Sequence, residues 1–219
     1  MAEYREAVIE GNEKGEIVEY ERELEFAAER FDPVFQEIAS KPLEVLLKDE
    51  EALQVGQRLF LQNCSMCHGS DGGGAKGFPN LTDDDWLYGG SHEKIKETLR
   101  LGRQGAMPAW LDAMGEKGIE EVVAYTLSLS GRKVDEDLKN KGQARFAVCG
   151  ACHGADGTGN QALGAPNLTD RVWLYGSSHE SVTETLKYGR NGVMPAFDER
   201  LGEDKIHVVA AYVYSLSKK

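Results

Sequence analysis

The chain has 219 residues, of which 41% are hydrophobic and 28% charged, a composition typical of a soluble globular protein rather than a disordered one. Acidic residues number 37 against 25 lysines and arginines, a net charge of −12 that argues against nucleic acid as a partner, because clustered basic residues bind phosphate backbones. No run of 18 apolar residues predicts a membrane span, and the first residues lack the basic and apolar regions of a signal peptide.

Residues 1–50 differ from the rest of the chain in charge. They contain 15 acidic and 6 basic residues, a net charge of −9. A helix is predicted over residues 16–30, and the prolines at 33 and 42 interrupt the chain after this helix. Large apolar side chains also recur here, and burying each is worth about 1.5–3 kcal/mol. We therefore predict an acidic helical extension in which residues 24–48 pack across the following domains and residues 1–15 are loosely held.

Residues 51–130 are predicted to form a first helical domain. Apolar residues recur at helical spacing in residues 52–63 and 119–130, and strand alternation is absent. A short amphipathic helix between them is expected to begin at Ser91, because a serine side chain caps the free N–H groups of a first turn. The expected fold class is all-α.

The first long helix is followed by Cys64-Ser-Met-Cys67-His68. Two cysteines at this spacing could by themselves form a disulfide, a zinc site or a redox dithiol. A histidine directly after the second cysteine is typical of covalent attachment of a c-type haem. The cysteines would form thioether bonds to the macrocycle, and His68 would be the proximal iron ligand.

A second iron ligand must come from a distant stretch of chain, on the other side of the haem. Met107, which is followed by a proline, is the candidate. Its thioether is a soft ligand, and histidine–methionine ligation raises the reduction potential of haem iron.

Residues 131–138 are polar and predict a linker, and residues 139–219 repeat the first domain. The second copy contains Cys149-Gly-Ala-Cys152-His153, a methionine–proline pair at Met194, and an N-cap at Ser177 or Ser178. Other shared motifs are Pro-Asn-Leu-Thr-Asp (79–83 and 166–170), Trp-Leu-Tyr-Gly (86–89 and 173–176) and Gly-Arg (102–103 and 189–190). The sequence therefore predicts two covalently bound haem c groups, with iron ligands His68, Met107, His153 and Met194.

Repeated histidines leave another ligand set open. His92 and His179 could be distal ligands in a bis-histidine arrangement, or surface residues of a first helical turn. We expect the second, because the methionines already fill the ligand role and histidine commonly occupies polar helix starts. Met66 and Met114 have no counterpart in the other copy and are expected to fill gaps in a core.

These motifs resemble tandem class I cytochrome c domains. They are more closely similar to the periplasmic part of the dihaem cytochrome c subunit of cbb3-type oxidases, the family called CcoP or FixP. The matching segments are Gly56–Phe60, Cys64–Gly69, Gly77–Thr82, Asp85–Gly90, Gly164–Asp170 and Trp173–Gly176. The resemblance extends over about residues 40–219.

The resemblance implies roles for further residues. The carbonyl groups of Pro79 and Pro166 would accept a hydrogen bond from the proximal imidazoles and fix their orientation. In each copy, a glycine and an aromatic residue of the first helix would pack on a tyrosine of the last: Gly56 and Phe60 on Tyr125, and Gly142 and Phe146 on Tyr212. The side chains that could bond haem propionates, with plain core packing of the aromatic ones as the alternative, are Trp86, Tyr88, Arg103, Trp173, Tyr175 and Arg190.

The implied function is electron transfer from a donor c-type cytochrome towards the oxidase core, as a non-catalytic subunit that contacts other oxidase subunits in the bacterial periplasm. Family members begin with membrane helices, so membrane attachment is expected only through an anchor absent from this chain. Three alternatives stay open: a free periplasmic dihaem shuttle resembling cytochrome c4, a dihaem peroxidase, and a gas sensor. The last two need an iron with an open or labile coordination position.

Overall fold

The computed structural model describes residues 28–218 continuously, together with residues 18, 22, 23, 25 and 26. This part is mainly helical, as expected, and contains no helix long and apolar enough to cross a membrane. Its helices are α1 (described continuously over 28–39), α2 (Leu43–Leu46), α3 (Glu50–Asn63), α4 (Ser65–His68), α5 (His92–Leu101), α6 (Leu111–Leu129), α7 (Glu136–Phe146), α8 (Gly150–His153), α9 (His179–Tyr188) and α10 (Asp198–Leu216). Its strands are β1 (Arg103–Met107) and β2 (Arg190–Met194).

Polar side chains begin several of these helices. Ser91 and Ser178 each accept a hydrogen bond from the backbone N–H three residues further on, at 3.3 and 3.0 Å, which confirms the predicted caps of α5 and α9. Asp49 and Asp135 cap α3 and α7 in the same way, at 3.0 and 2.9 Å. Each cap satisfies an N–H group that has no partner within the first helical turn.

The two strands pair with each other as an antiparallel ribbon. Facing residues are Arg103 and Met194, Gly105 and Gly192, and Met107 and Arg190. The sequence analysis predicted an all-helical fold and missed this ribbon, because strands of five residues with glycine at the centre show no alternation of apolar residues.

The helices pack into two lobes, and each lobe combines both sequence repeats. In the first lobe, α3 and α5 of the first repeat pack against α10, the last helix of the second. In the second lobe, α7 and α9 of the second repeat pack against α6, the last helix of the first. The chain crosses between lobes along β1 and returns along β2. Residues 51–130 and 139–219 are thus the sequence repeats, whereas the packed lobes have exchanged their last helices.

The aromatic contacts of the two cores show this exchange directly. The ring centroids of Phe60 and Tyr212 are 5.6 Å apart, and those of Tyr125 and Phe146 are 5.0 Å apart. The expectation that Phe60 packs on Tyr125 and Phe146 on Tyr212 is therefore wrong. Both copies offer the same aromatic residue in the first helix and the same tyrosine in the last, so either pairing fills the same space. The ribbon selects the crossed one.

Two glycines allow the crossed helices to approach closely. A Cβ atom on Gly56 of α3 would lie 2.7 Å from the Cβ of Tyr212 in α10. A Cβ atom on Gly142 of α7 would lie 2.9 Å from the Cβ of Tyr125 and would overlap the carbonyl oxygen of Glu121. Any larger residue would force the helices of each lobe apart.

The segment before α3 packs on the first lobe. Leu46 is 1% exposed, Ile38 is buried in the same core cluster, and Phe35 packs against it. Phe26 and Phe31, by contrast, are 65% and 53% exposed. Residues 28–48 therefore pack on the first lobe as predicted, with Asp32 Oδ1 3.5 Å from Lys205 Nζ of α10. The predicted burial of Phe26 and Phe31 is wrong, because a helix buries only the stripe that faces its neighbour. The prediction for residues 1–15 lies outside the described residues.

Candidate haem sites

Each cysteine motif forms one helical turn at the end of a longer helix. α4 follows α3 and α8 follows α7, and in both turns the histidine N–H donates to the carbonyl of the first cysteine at 3.0 Å. The first cysteine is buried and the second exposed in both motifs. Each motif therefore has one thiol in the core of its lobe and one at the surface.

The two motif histidines are held in one orientation by the predicted prolines. His68 Nδ1 lies 2.9 Å from the Pro79 carbonyl oxygen, and His153 Nδ1 lies 3.0 Å from that of Pro166. A carbonyl oxygen only accepts, so Nδ1 carries the proton and Nε2 of the neutral ring has a free lone pair. A bond of this kind sets the tautomer and ring direction of a metal-ligating histidine.

The buried thiols differ from those of a redox dithiol. Burial, with a smaller contribution from the neighbouring Cys67, raises the pKa of the Cys64 thiol to about 11. Burial likewise raises the pKa of Cys149. A redox dithiol attacks as a thiolate and needs a lowered pKa. The raised pKa values of Cys64 and Cys149 therefore disfavour a redox role for these two thiols.

The two candidate methionine ligands lie in the lobes opposite to their own repeats. Met194 packs against the core cluster of the first lobe, which contains Cys64. Met107 packs against the cluster of the second lobe, which contains Cys149. The crossing ribbon therefore places each methionine against the core cluster that contains the first cysteine of the other repeat. Pairing by sequence distance, Met107 with His68 and Met194 with His153, does not match this packing.

Two glycines at the start of the strands accommodate the crossing. Gly102 has φ 68°, and a Cβ there would lie 2.8 Å from the backbone nitrogen of Ala196. Gly189 has φ 71°, and a Cβ there would lie 2.9 Å from that of Ala109. Each strand thus begins against the methionine–proline loop that arrives from the other repeat. Glycine is required by both the conformation and the close approach.

The predicted arginines and tyrosines form matching pairs. The guanidinium of Arg103 lies 4.7 Å from the Tyr88 ring centroid, and that of Arg190 lies 4.6 Å from that of Tyr175. In both arginines the Nε–H group donates a hydrogen bond at 2.9 Å to the hydroxyl of a threonine, Thr98 or Thr185. A second guanidinium nitrogen donates to the carboxylate of Glu97 at 2.8 Å in Arg103 and of Glu184 at 2.9 Å in Arg190. Within the described chain, the Tyr88 hydroxyl and Arg190 Nη2 are buried without a hydrogen-bond partner. Such donors fit an anionic group such as a haem propionate.

The two tryptophans take different places. Trp86 packs against the core of the first lobe, and its carbonyl accepts a hydrogen bond from Gln161 of the second repeat at 3.1 Å. Trp173 packs against the core of the second lobe, and its Nε1 donates to the Asp170 carbonyl at 3.3 Å. Core packing, the alternative left open for the aromatic residues, therefore describes both tryptophans.

The repeated histidines are not equivalent in the structure. His179 is exposed, as expected, but His92 is only 6% exposed, so its predicted surface position is wrong. The His92 ring lies 4.9 Å from the ring of His207, and its Nε2 donates to the His207 carbonyl at 3.3 Å. Burial lowers the pKa of His92. Its neighbour is α10 rather than either cysteine motif, which disfavours the bis-histidine alternative.

The two unrepeated methionines also differ. Met114 packs against the core of the second lobe, as expected of a gap-filling residue. Met66 is 94% exposed, so the expectation of a core role is wrong. It stands between the two cysteines on a single helical turn, where a side chain points away from the lobe.

The family comparison agrees with this geometry. A family model described as cytochrome c oxidase, cbb3-type, subunit III matches residues 51–125 and 138–213, once for each repeat. The chain belongs to this family. Membership confirms the resemblance derived from the motifs, supports electron transfer within a cbb3-type oxidase, and implies covalently bound haem c.

Individual relatives of this cbb3-type subunit carry the same name. The chain is 47% identical to the cbb3-type cytochrome c oxidase subunit CcoP of Rubrivivax gelatinosus, over 91% of this chain and 66% of that protein. It is 38% identical to subunit FixP of Azorhizobium caulinodans, over 99% and 78%. It is 42% identical to subunit CcoP of Cereibacter sphaeroides, over 90% and 73%. The chain thus spans about two thirds to three quarters of the length of these relatives.

Sequence reasoning missed one ion pair that contains a buried charge. Glu121 in α6 is 2% exposed, and Arg145 in α7 donates Nε to its carboxylate at 2.5 Å. The available signal was a glutamate at an apolar position of the last helix, where the other repeat has Val208. A charged residue on a buried face requires a partner of opposite charge.

Proposed function

We propose that this chain carries electrons from a donor c-type cytochrome towards the catalytic core of a cbb3-type oxidase, using two covalently bound haem c groups. The observation that carries the proposal is the duplicated Cys-x-x-Cys-His turn whose histidine is held through Nδ1 by a proline carbonyl. A haem c supplies an iron that accepts and releases one electron. The chain supplies its attachment, its axial ligands and its surroundings.

The proposed ligand sets follow the lobes rather than the repeats. Cys64, Cys67, His68 and Met194 would hold the first haem, the cysteines through thioether bonds and His68 and Met194 as iron ligands. Cys149, Cys152, His153 and Met107 would hold the second haem in the same way. The packing of each methionine in the core of the opposite lobe supports this assignment. Methionine ligation favours ferrous iron and suits a carrier of electrons.

The same arrangement favours an electron carrier over an enzyme. A peroxidase or a gas sensor needs an iron with an open or labile position, and each lobe instead brings a methionine to its attachment motif. We place the chain in the bacterial periplasm, beside other oxidase subunits. The names of the relatives, which are subunits of a cbb3-type cytochrome c oxidase, support the association with other oxidase subunits.

Haem stoichiometry tests the proposal. The purified protein is expected to contain two haems per chain that resist extraction with acidified acetone, because thioether bonds are covalent. Both oxidised haems are expected to be low-spin and to show the sulfur-to-iron charge-transfer absorption of histidine–methionine ligation. A ratio near one, or extractable haem, would contradict the duplicated site.

A further inference from the structure

The last helix, α10, is held on the first lobe by residues from outside the duplicated unit. Residues 28–48, the docked segment, come before the first repeat in the chain. Their Ile38 and Leu46 are buried in the same core cluster as Ile206 of α10. Met194, at the end of β2, packs against this cluster as well. The docked segment, α10 and one candidate iron ligand therefore share one packed core.

Polar contacts also join α10 to the docked segment. His207 Nε2 donates a hydrogen bond to the carbonyl of Lys41 at 3.1 Å. Lys205 Nζ lies 3.5 Å from Asp32 Oδ1 and 5.0 Å from the ring centroid of Phe35. These contacts exist only while α10 lies on the first lobe, so each of them opposes movement of the helix away from that lobe.

The first repeat holds the same position of α10 from another side. His92 of α5 is buried, and its Nε2 donates to the His207 carbonyl at 3.3 Å. In the second lobe, Glu120 of α6 matches His207 and His179 of α9 matches His92, and both are exposed. Within the part of the chain that the structure describes, neither the histidine pair nor the docked segment therefore has an equivalent in the second lobe.

This difference between the lobes bears on the two candidate methionine ligands. Only three residues separate Met194 from the start of α10, and only three separate Met107 from the start of α6. A ligand carried by such a loop is displaced when the loop and the helix next to it open locally, and contacts that exist only in the closed state make this opening rarer. Opening at α10 breaks the contacts with the docked segment, whereas opening at α6 does not.

We propose that the docked segment is a strap that, through α10, keeps Met194 on its haem iron, and that Met107 is the ligand which exogenous molecules displace first. The inference rests on the proposed function, in which both methionines bind iron. His207 and Lys205 are positioning residues, because they act on Met194 through the helix. One haem of the chain is then a closed electron carrier, whereas the other can exchange its methionine for a small ligand.

Imidazole binding to the full, haem-loaded chain tests the strap, because imidazole replaces the methionine and removes its charge-transfer absorption. The Met107→Ala chain reports on Met194 alone, and the Met194→Ala chain reports on Met107 alone. The imidazole concentration at half-displacement is expected to be higher for Met194 than for Met107. Adding His207→Ala is expected to lower this concentration for Met194 by about two- to tenfold, as for one lost hydrogen bond, and to leave that for Met107 unchanged.

Three further variants make the test specific. His207→Gln keeps a side-chain N–H donor and is expected to restore most of the resistance of Met194 to imidazole. Lys205→Ala removes the other polar contact and is expected to act in the same direction as His207→Ala, so the test does not depend on one variant. Glu120→Ala changes the matching exposed residue of α6 and is expected to affect neither methionine. Equal displacement of both methionines, or strap variants without effect on Met194, would overturn the proposal.

Hydrogen exchange supplies a readout that a merely structural role of the segment would not change. Because coupling between two sites is reciprocal, imidazole binding to the Met107→Ala chain is expected to accelerate exchange in residues 28–48. Unchanged exchange there would show that Met194 leaves the iron without any movement of the strap, and would overturn the proposal. Absence of the charge-transfer absorption from the unaltered chain would instead contradict the proposed function, on which the strap depends.

Discussion

The two lobes are built from the same duplicated sequence, yet their helix contacts are stabilised differently. In the first lobe, Leu59 of α3 and Val208 of α10 are buried in an apolar core. The matching positions of the second lobe hold Arg145 and Glu121, joined as an ion pair in which Glu121 is buried and Arg145 is partly exposed. The cysteine turns, prolines, methionines and arginine–tyrosine pairs are alike in both lobes. Packing between the helices has therefore diverged, while the residues around the candidate haem sites have kept the same arrangement.

A second difference lies outside the duplicated helices. The first lobe alone has a segment docked before its first helix, where His207 of α10 donates Nε2 to the Lys41 carbonyl at 3.1 Å and Lys205 lies 5.0 Å from the Phe35 ring centroid. The linker before the second lobe is short and polar by comparison. Four predictions test how far the likeness and the differences of the lobes extend.

The largest effect is expected from the crossed methionines. Pro79→Ala keeps the backbone carbonyl of residue 79 but removes the ring that stiffens the loop orienting His68. The spectral change that it causes therefore identifies the haem attached next to His68, the first haem. The double variant with Met194→Ala is expected to alter the spectrum of one haem only, with complete loss of its methionine charge-transfer band, because both changes act on the first haem. The double variant with Met107→Ala is expected to alter the spectra of both haems, because Met107 is assigned to the second. Paramagnetic NMR and electron paramagnetic resonance count the altered haems, and the reverse pattern would establish ligation within each repeat.

The docked segment is expected to stabilise the first lobe by a smaller amount. Leu46 is 1% exposed, and Leu46→Ala should lower the free energy of unfolding by about 2–5 kcal/mol, through lost apolar contact and the cavity left behind. Hydrogen exchange should accelerate in α3 and α10 more than in α6 and α7. Phe31→Ala, at a side chain that is 53% exposed, is the control and should change stability by less than about 0.5 kcal/mol. Equal acceleration in both lobes would show that they unfold as one unit.

The ion pair of the second lobe gives a more moderate effect. Arg145→Ala leaves the Glu121 carboxylate buried without its partner, and because Arg145 is partly exposed we expect a loss of about 1–3 kcal/mol in chemical denaturation. The double variant Glu121→Val with Arg145→Leu copies the residues of the first lobe and should restore most of that stability. A double variant less stable than Arg145→Ala would mean that the two lobes do not share equivalent packing at this position.

The smallest effect concerns pH and the buried histidine of the first lobe. Burial lowers the pKa of His92 in the folded chain, so the unfolded chain binds a proton more readily. The contribution of the neutral His92 ring to the free energy of unfolding is therefore complete above the ordinary histidine pKa of about 6.5. It is lost as the pH falls below that value. His92→Gln should reduce the loss of stability between pH 7.5 and 5.5, measured by thermal denaturation. His179→Gln, at the exposed equivalent in the second lobe, should leave the pH dependence unchanged.

Local signals in the sequence predicted a large part of the candidate sites. The cysteine–histidine motifs and the serine caps depend on residues close in sequence, whereas the proline–histidine bonds were implied by the family resemblance. The structure shows the caps and the bonds as expected. The surface position of His92 and the core position of Met66 were predicted wrongly. Repetition in sequence carries no information about burial, which depends on what packs against each copy.

The sequence by itself determined the helices of the duplicated unit, the attachment motifs and the methionines available as ligands. Only the tertiary structure decided which methionine approaches which motif. Both repeats present the same glycine and aromatic residue in the first helix and the same tyrosine in the last, so packing within a repeat and packing between repeats bury equivalent surfaces. The choice is made by the ribbon, where β1 and β2 pair antiparallel and carry each last helix to the other lobe. That pairing joins residues far apart in sequence, such as Gly105 and Gly192, 87 positions apart, and no local pattern reveals it.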